Sequence, residues 1–405
     1  MDKISLPLGS MLRHFAADAS VFGRPYRVGA PGWERRLCYD AARKSTMGII
    51  NGNRDANPVP RGPRSSEHEP MRLHVVAPTR IDLAGGTLDI WPLYLLHPGA
   101  LTLNLALSRY AHARLETRRD ARIVLVSRAT GRRAAFSSLA ALAQAHNPRL
   151  PLLAHLVRHF APRTGLTLTT WSEVPAGAGL GGSSALAVAI AHGLACLTGR
   201  RLRRQRLIAL VRDLEVRVLQ VPTGEQDFYA AAYGGLSAIH LDPGGTWREP
   251  LRANLQALQA RLVLAYTGKP RHSGINNWEV TKARLEGRRV VVRNLDALAE
   301  ISVALRAALR ANDWRQVGKL IDAEWRVRRR NAPTISTPAI DRLVRMARRA
   351  GARAGKVCGA GGGGCVVFYS PPENHTRVAQ ALMAAGAAVL PFRIAPRGVR
   401  LLRQR

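Results

Sequence analysis

The chain has 405 residues, with 61 Lys and Arg against 27 Asp and Glu and a formal net charge of +34. Hydrophobic residues make up 46% and charged residues 22%, which excludes a chain disordered throughout, collagen and a disulfide-rich miniprotein. No stretch approaches the ~20 apolar residues of a membrane helix, so we expect no membrane partner. The length favours two domains, because a single core rarely grows past about 250–300 residues.

The first 70 residues differ from the rest of the chain. They contain Pro and Gly breaks, end in a polar run and show no sustained helix or strand period. We expect residues 1–70 to be either a disordered extension or a mis-assigned start, with Met71 as the alternative first residue.

From Met71 onward the periodicity predicts a mixture of strands and helices. Strands are predicted at 73–78, 121–127, 166–172, 261–266, 365–369 and 388–394. Helices are predicted at 151–161, 183–198, 202–219, 290–311, 314–330, 338–350 and 374–385. These elements do not alternate as regular βαβ units, so the pattern predicts an α+β fold. A Pro-Gly-Gly break at 243–245 predicts a boundary between two domains, 71–245 and 246–405.

The excess of positive charge raises the question of nucleic-acid binding. Only six of the 61 basic residues are lysines, the arginines are scattered along the chain, and aromatic residues make up only 5%. No RNA-recognition signature is present. We interpret the arginines mainly as solvated surface and expect no nucleic-acid partner, although a nucleic-acid-binding protein stays the alternative of a different class. The four cysteines form no C-x-x-C pair and suit a reducing cytoplasm.

The strongest local motif is the glycine-rich segment 173–186, Glu-Val-Pro-Ala-Gly-Ala-Gly-Leu-Gly-Gly-Ser-Ser-Ala-Leu. It follows a predicted strand and opens a predicted helix, where unpaired backbone N–H groups form a ready anion site. The simpler interpretation is a turn with serine N-caps. A Walker A loop requires Lys after the last Gly, and a Rossmann loop requires an acidic residue about 20 positions later. Both requirements fail here.

Three further segments have unusual composition. A second glycine tract, 356–369, lies between a predicted helix and a predicted strand, and its four consecutive glycines indicate a slim backbone packed closely against a neighbour. A flexible linker is the alternative. The segment 77–90 contains Arg-Ile-Asp-Leu-Ala-Gly-Gly followed by Asp89, and the segment 224–235 contains Gln-Asp at 226–227. Taken alone, Asp227 is more typical of a turn or an N-cap, and Glu215 of a surface.

Together, the glycine-containing motifs in this order resemble those of the GHMP small-molecule kinases, from Met71 to the C-terminus. Within that superfamily the residues around Arg80 and Asp89 most resemble the sugar-kinase branch that includes D-glycero-D-manno-heptose 7-phosphate kinase and fucokinase. The resemblance implies an N-terminal lobe like ribosomal protein S5 domain 2 and a ferredoxin-like C-terminal lobe. It also implies ATP and Mg²⁺ as cofactors and transfer of a phosphoryl group to an alcohol of a small molecule.

The resemblance also implies roles for individual residues. Asp227 would be the catalytic aspartate, Ser183 and Glu215 would hold the magnesium ion, and Arg80 and Asp89 would bind the acceptor. The implied ATP-binding residues are Pro175, Gly177, Gly179, Leu180, Gly181, Gly182, Ser183, Ser184, Gly361 and Gly362.

The acceptor stays open at this point. Galactokinases have Glu-His where this chain has Gly86-Thr87, and heptose kinases usually have Gly-Gly-Gly-Thr-Asp where this chain has Gly-Gly-Thr-Leu-Asp. We expect a sugar or sugar phosphate, heptose-phosphate-like or fucose-like, with a mevalonate-type kinase as the alternative. The sequence does not indicate an oligomeric state.

Overall fold

The computed structural model describes residues 70–270 and 273–402, which all belong to one unit. The expectation for residues 1–70 lies, except for Pro70, outside the described residues. No helix within these ranges combines the length and the apolar character that crossing a bilayer requires. The described chain forms two β-sheets with helices around them, which confirms the predicted α+β class.

The first sheet has eight strands within the described ranges. In chain order they are β1 (Arg72–Ala84), β2 (Leu101–Arg118), β3 (Ile123–Ser127), β4 (Arg132–Phe136), β5 (Gly165–Ser172), β6 (Leu236–Asp242), β7 (Gly245–Pro250) and β12 (Arg400–Leu402). Their order is β12-β1-β2-β5-β3-β4, with β6 beside β2 and β7 beside β6. The β3–β5 pair is parallel and the other pairs are antiparallel.

Five helices accompany the first sheet: α1 (Leu139–Gln144), α2 (Pro151–Phe160), α3 (Gly182–Leu197), α4 (Arg204–Leu219) and α5 (Gln226–Tyr233). The central one, α3, packs against β1 and β2 and is apolar on most sides, as expected for a helix buried in a core. A Cβ at Gly193 would lie 2.6 Å from Leu115 Cδ1, so glycine permits this close approach of helix and sheet.

The second sheet has the order β11-β8-β10-β9 and is antiparallel throughout. Its strands are β8 (Leu262–Tyr266), β9 (Ala354–Val357), β10 (Cys365–Tyr369) and β11 (Ala388–Val389). The remaining helices are α6 (Leu255–Gln259), α7 (Ser273–Leu285), α8 (Arg289–Ala311), α9 (Trp314–Arg328), α10 (Pro338–Arg349) and α11 (His375–Ala384).

The predicted elements are present, and the structure adds several that were not predicted. All seven predicted helices occur, and every predicted strand overlaps an observed one, the last only at Ala388–Val389. The strands β2, β4, β6, β7, β9 and β12 and the helices α1, α5, α6 and α7 were not predicted. Both β7 and β12 belong to the first sheet although they fall at or after the predicted boundary at 245. The division into 71–245 and 246–405 stays a prediction.

Four buried charged side chains connect β1 to α9 and β9. Asp82 and Lys356 form an ion pair at 3.1 Å, and Lys356 Nζ also lies 3.2 Å from Glu324 Oε1. Arg328 Nη2 lies 2.6 Å from Glu324 Oε1 and 3.4 Å from Asp82 Oδ2. The exposed fraction of each side chain is 2% or less. We call these four residues the buried quartet; its formal charges cancel.

The cations of the quartet keep Asp82 ionised. Burial alone would raise the pKa of Asp82, but the charges of Lys356, Arg328 and Arg80 hold that pKa below its ordinary value. A buried charge without a partner is costly, so each member depends on the other three. The quartet therefore fixes β1 against α9 and β9.

We expect Lys356→Met to lower the free energy of unfolding by about 3–5 kcal/mol, because two buried carboxylates lose a cation. Urea unfolding of the full chain measures this effect. Lys319→Met is the matched control, since Lys319 is exposed and its replacement should change the free energy by less than about 0.5 kcal/mol. Equal effects of the two substitutions would show that the quartet does not stabilise the fold.

Candidate functional site

A cavity of about 380 Å³ lies where the glycine-rich segment 175–184 meets the turn after β1 and the N-terminal end of α5. All the residues that the sequence predicted for the site line this cavity except Gly361 and Gly362. These lining residues come from segments as far apart as Arg80 and Asp227, so the fold brings the predicted site together.

The glycine-rich segment forms a loop that ends on α3. Gly177, Gly179 and Gly181 adopt φ values of +69°, +78° and +70°, a left-handed conformation that glycine adopts without a Cβ clash. Gly181 is the N-cap of α3, and no side chain caps the helix there. The first-turn amides of α3 are therefore open to a ligand at the positive end of the helix dipole, an arrangement suited to phosphate oxygens.

The two serines that follow bind a glutamate rather than capping the helix. The hydroxyl of Ser183 donates to Glu215 Oε1 at 2.5 Å, and that of Ser184 donates to Glu215 Oε2 at 2.8 Å. Burial raises the pKa of Glu215 to about 7, although both hydroxyls favour its charged form. Among the residues described, no basic side chain forms an ion pair with Glu215. The negative charge of the Glu215 carboxylate is therefore not balanced by a described cation.

These groups fit a magnesium ion. Mg²⁺ prefers oxygen ligands and is usually bound by one or two carboxylates together with substrate phosphates. Ser183 and Glu215 supply hard oxygen atoms beside the open amides of α3, and the raised pKa of Glu215 reflects a carboxylate that a cation would stabilise. No cluster of three or more His, Cys, Asp or Glu side chains suited to a metal occurs in the described ranges.

Asp227 lies against the end of the loop, in an ion pair with Arg80. Arg80 Nε and Nη2 lie 2.7 Å and 2.6 Å from Asp227 Oδ1, and Arg80 Nη1 donates to the carbonyl of Gly179 at 2.6 Å. Burial alone would lower the pKa of Arg80, but the charge of Asp227 outweighs burial and helps to hold that pKa above its ordinary value. A Cβ on Gly181 would lie 3.1 Å from Asp227 Oδ2. That oxygen, which accepts no hydrogen bond from a described residue, faces the end of the loop.

Asp89 lines the same cavity and is almost fully buried. Its Oδ2 accepts the backbone N–H of Gln226 at 3.0 Å, and a Cβ on Gly224 would lie 2.2 Å from the same oxygen. Burial raises the pKa of Asp89 to about 6, while the Gln226 N–H favours its ionised form. The backbone that precedes Asp227 therefore packs directly on Asp89, which keeps the two carboxylates in one site.

The second glycine tract supports the loop from behind. The N–H of Cys365 donates to the carbonyl of Ala178 at 2.7 Å, and a Cβ on Gly364 would lie 2.7 Å from the same oxygen. Gly361 and Gly362 instead pack on the backbone at 334–335, away from the cavity, while Gly359 and Ala360 line it. The tract is thus a close-packed structural segment and not a linker.

Sequence reasoning missed several residues of the site. Thr87 and Asn277 line the cavity, Gln226 orients Asp89, and Arg328 contacts the turn that precedes Asp89. The Gln-Asp pair at 226–227 was noted, so only the contact of Gln226 with Asp89 was missing. Nothing in the sequence distinguishes Arg328 from the many surface arginines.

Two family domains match this chain. Residues 139–235 match the GHMP kinases N terminal domain, and residues 305–388 match the GHMP kinases C terminal domain. The first range contains the glycine-rich loop, Glu215 and Asp227, and the second contains the glycine tract and three members of the buried quartet.

Characterised relatives agree with these matches. D-glycero-alpha-D-manno-heptose 7-phosphate kinase of Campylobacter jejuni is 28% identical over 81% of this chain and 98% of its own length. Mevalonate kinase of Thermococcus onnurineus is 30% identical over 61% of this chain and 72% of its own length. The crystal structure of a D-glycero-D-manno-heptose 1-phosphate kinase from Bacteriodes thetaiotaomicron superposes with a TM-score of 0.66 at 23% identity, covering 82% of this chain and 99% of that one. On this evidence the chain belongs to the GHMP kinases.

Proposed function

We propose that this chain transfers the γ-phosphoryl group of ATP to a hydroxyl of a sugar or sugar phosphate, with heptose-phosphate-like or fucose-like acceptors. The similarity to the heptose 7-phosphate kinase supports this acceptor class, because it extends over 98% of that enzyme's length. The mevalonate kinase covers a smaller share of the chain and stays the alternative. The cysteine pattern favours the cytoplasm as the site of the reaction.

One observation supports the reaction above the others: the position of Asp227 relative to the glycine-rich loop. Its Oδ2 faces Gly181, where the loop joins α3, while Arg80 occupies Oδ1. A phosphate bound at the α3 amides would lie on one side of this carboxylate, and the rest of the cavity leaves room for an acceptor on the other side.

The proposed mechanism follows from these positions. The loop amides and the α3 N-terminus bind the ATP phosphates, and Asp227 Oδ2 orients the acceptor hydroxyl and takes its proton. Arg80 holds the Asp227 carboxylate in place through Oδ1. Asp89 accepts hydrogen bonds from other hydroxyls of the acceptor. Ser183 and Glu215 would hold the Mg²⁺ ion, which supplies neutralisation of the phosphate charge. Phosphoryl transfer has a loose transition state, so positioning and charge neutralisation are the main requirements.

An ADP-release screen tests the function. Monosaccharides, sugar phosphates and mevalonate are offered with ATP and Mg²⁺, and we expect acceptor-dependent ADP release with a sugar or sugar phosphate. Turnover of mevalonate alone would select the alternative. ATP-independent, salt-sensitive binding of nucleic acid without any kinase turnover would reject the proposal.

Asp227→Asn should lower kcat by about 10²–10⁴-fold, because it removes the charge and the proton acceptor while keeping the size of the side chain. Calorimetry with an ATP analogue should show little change in nucleotide affinity. Asp213→Asn is the control, since Asp213 is exposed and its one ion-pair partner among the residues described is Arg212. Near-normal kcat in Asp227→Asn would remove Asp227 from the reaction.

Asp89→Asn should raise the KM of the acceptor more than it lowers kcat, because the contact with remote hydroxyls is equally strong in the ground and transition states. The wild-type KM for the acceptor should also rise as the pH falls through about 6, since protonation of Asp89 removes its negative charge. The substituted enzyme should lack this pH dependence. The same pH profile in both proteins would exclude Asp89 as its source.

Glu215→Gln should weaken turnover and shift the Mg²⁺ dependence to higher concentrations, because a carboxylate ligand is lost. Calorimetric titration of Mg²⁺ into the complex with an ATP analogue gives a readout that does not require turnover. Glu300→Gln, at an exposed position of α8, is the matched control. An unchanged magnesium titration would place Glu215 outside the metal site.

A further inference from the structure

The turn at 85–87 connects β1 to Asp89 and has a demanding backbone. Gly85 and Thr87 adopt φ values of +78° and +74°, and the carbonyls of both accept turn hydrogen bonds, from Leu88 and Ile90 respectively. A left-handed conformation is unfavourable for a β-branched residue such as Thr87, so surrounding contacts must maintain it. The turn thereby sets the direction in which the chain reaches Asp89.

Arg328 supplies those contacts from α9. Its Nη2 donates to the carbonyl of Gly86 at 2.8 Å, and its Nη1 donates to Thr87 Oγ1 at 3.2 Å. Its Nε is bound to Glu324, so the guanidinium is fixed on both sides. A Cβ on Gly86 would lie 2.3 Å from Asp82 Oδ2 and 2.9 Å from Arg328 Nη2, which explains a glycine at this position. The side chain of Arg328 is 2% exposed, so water does not compete for these bonds.

The hydrogen bond from Arg328 determines how the Thr87 hydroxyl can interact with a ligand. Its oxygen accepts from Arg328, so its own hydrogen is free to donate elsewhere. Thr87 is half-buried and lines the same cavity as Asp89, two residues further on. The site thus presents a hydroxyl donor and a carboxylate acceptor from one short segment. Neighbouring hydroxyls on a sugar match that pair, since one can accept a hydrogen bond while the other donates one.

We propose that the Thr87 hydroxyl donates a hydrogen bond to an oxygen of the acceptor, and that Arg328 is the positioning residue that holds it there. The inference rests on the proposed function and names a specificity contact that the reaction itself does not require. It predicts an effect on the acceptor and not on the nucleotide, because the α3 amides lie outside the turn.

Four variants of the full chain test this inference in kinetics with the acceptor identified by the screen. Thr87→Val keeps the shape but removes the hydroxyl, and the acceptor KM should rise about tenfold. Thr87→Ser keeps the hydroxyl, so most of the acceptor affinity should be retained. Arg328→Lys keeps the positive charge within the buried quartet but loses the planar guanidinium that donates to both Gly86 and Thr87. It should therefore raise the acceptor KM as much as Thr87→Val does. Arg326→Lys, a surface position on the same helix, is the control.

The KM for ATP separates positioning from general damage. We expect the KM for ATP to stay within about twofold of the wild-type value in all four variants. The acceptor KM of the double variant Arg328→Lys/Thr87→Val should be no higher than that of Thr87→Val, because both substitutions remove the same contact with the acceptor. Equal acceptor KM values for Thr87→Val and Thr87→Ser would overturn the inference. If Arg328→Lys raises both KM values together, its positioning role is rejected. If Arg328→Lys does not fold, the two Thr87 variants still decide the hydroxyl contact.

Wild-type turnover in the screen distinguishes failure of the proposed function from failure of the Thr87 contact. A wild-type enzyme that turns over no acceptor in the screen rejects the function, and with it the contact that rests on it. A wild-type enzyme that turns over a sugar while Thr87→Val behaves like Thr87→Ser rejects only the contact.

Discussion

The buried quartet is the constraint on which the rest of the site depends. Burying four charges is tolerable only while each has its partners, so β1, α9 and β9 must meet in one arrangement. The strand β1 contributes Asp82 to the quartet, and two residues earlier it contributes Arg80 to the cavity. The same strand leads into the turn held by Arg328. The geometry around Asp227 and Asp89 therefore depends on a charge balance next to the cavity, close enough for the charges of Asp82 and Arg80 to interact.

Close backbone approach is the second constraint, and it explains the density of glycine. A Cβ on Gly364 would lie 2.7 Å from the carbonyl oxygen of Ala178, and a Cβ on Gly181 would lie 3.0 Å from Asp227 Cγ. A side chain at either glycine would push apart two segments that the chemistry requires together. The glycine tract therefore supports the glycine-rich loop through Gly364 and Cys365, while Gly361 and Gly362 do not line the cavity. At these positions the lack of a Cβ is as important as the freedom of φ that glycine has.

Local sequence patterns predicted the parts of the fold that depend on neighbouring residues, such as the starts of helices. The helices predicted from 183, 314 and 338 begin in the structure at Gly182, Trp314 and Pro338, directly after the N-caps Gly181, Asp313 and Thr337. The alternating leucines of β2 at 101, 103, 105 and 107 are a strand signal that the prediction overlooked, but the role of its buried polar residue was not visible: Asn104 is fully buried and donates to the carbonyl of Gln226, 122 positions away. Arg328 was missed for the same reason, since its partner Gly86 is 242 positions away. The family resemblance pointed to some of the residues that line the cavity, but long-range pairing of buried polar groups is not visible in a single sequence.

The three carboxylates of the cavity differ in the partner that each one has, and this difference separates their proposed roles. Asp227 has a guanidinium on one oxygen and leaves the other open, which suits a group that must meet a hydroxyl. Glu215 has two hydroxyls and no described cation, and burial raises its pKa to about 7, so a bound cation would stabilise its charged form. Asp89 has a backbone N–H and a pKa raised to about 6, which leaves it ionised near neutral pH and able to accept hydrogen bonds. Chemically similar groups thus differ in their surroundings, and those differences separate the roles proposed for them.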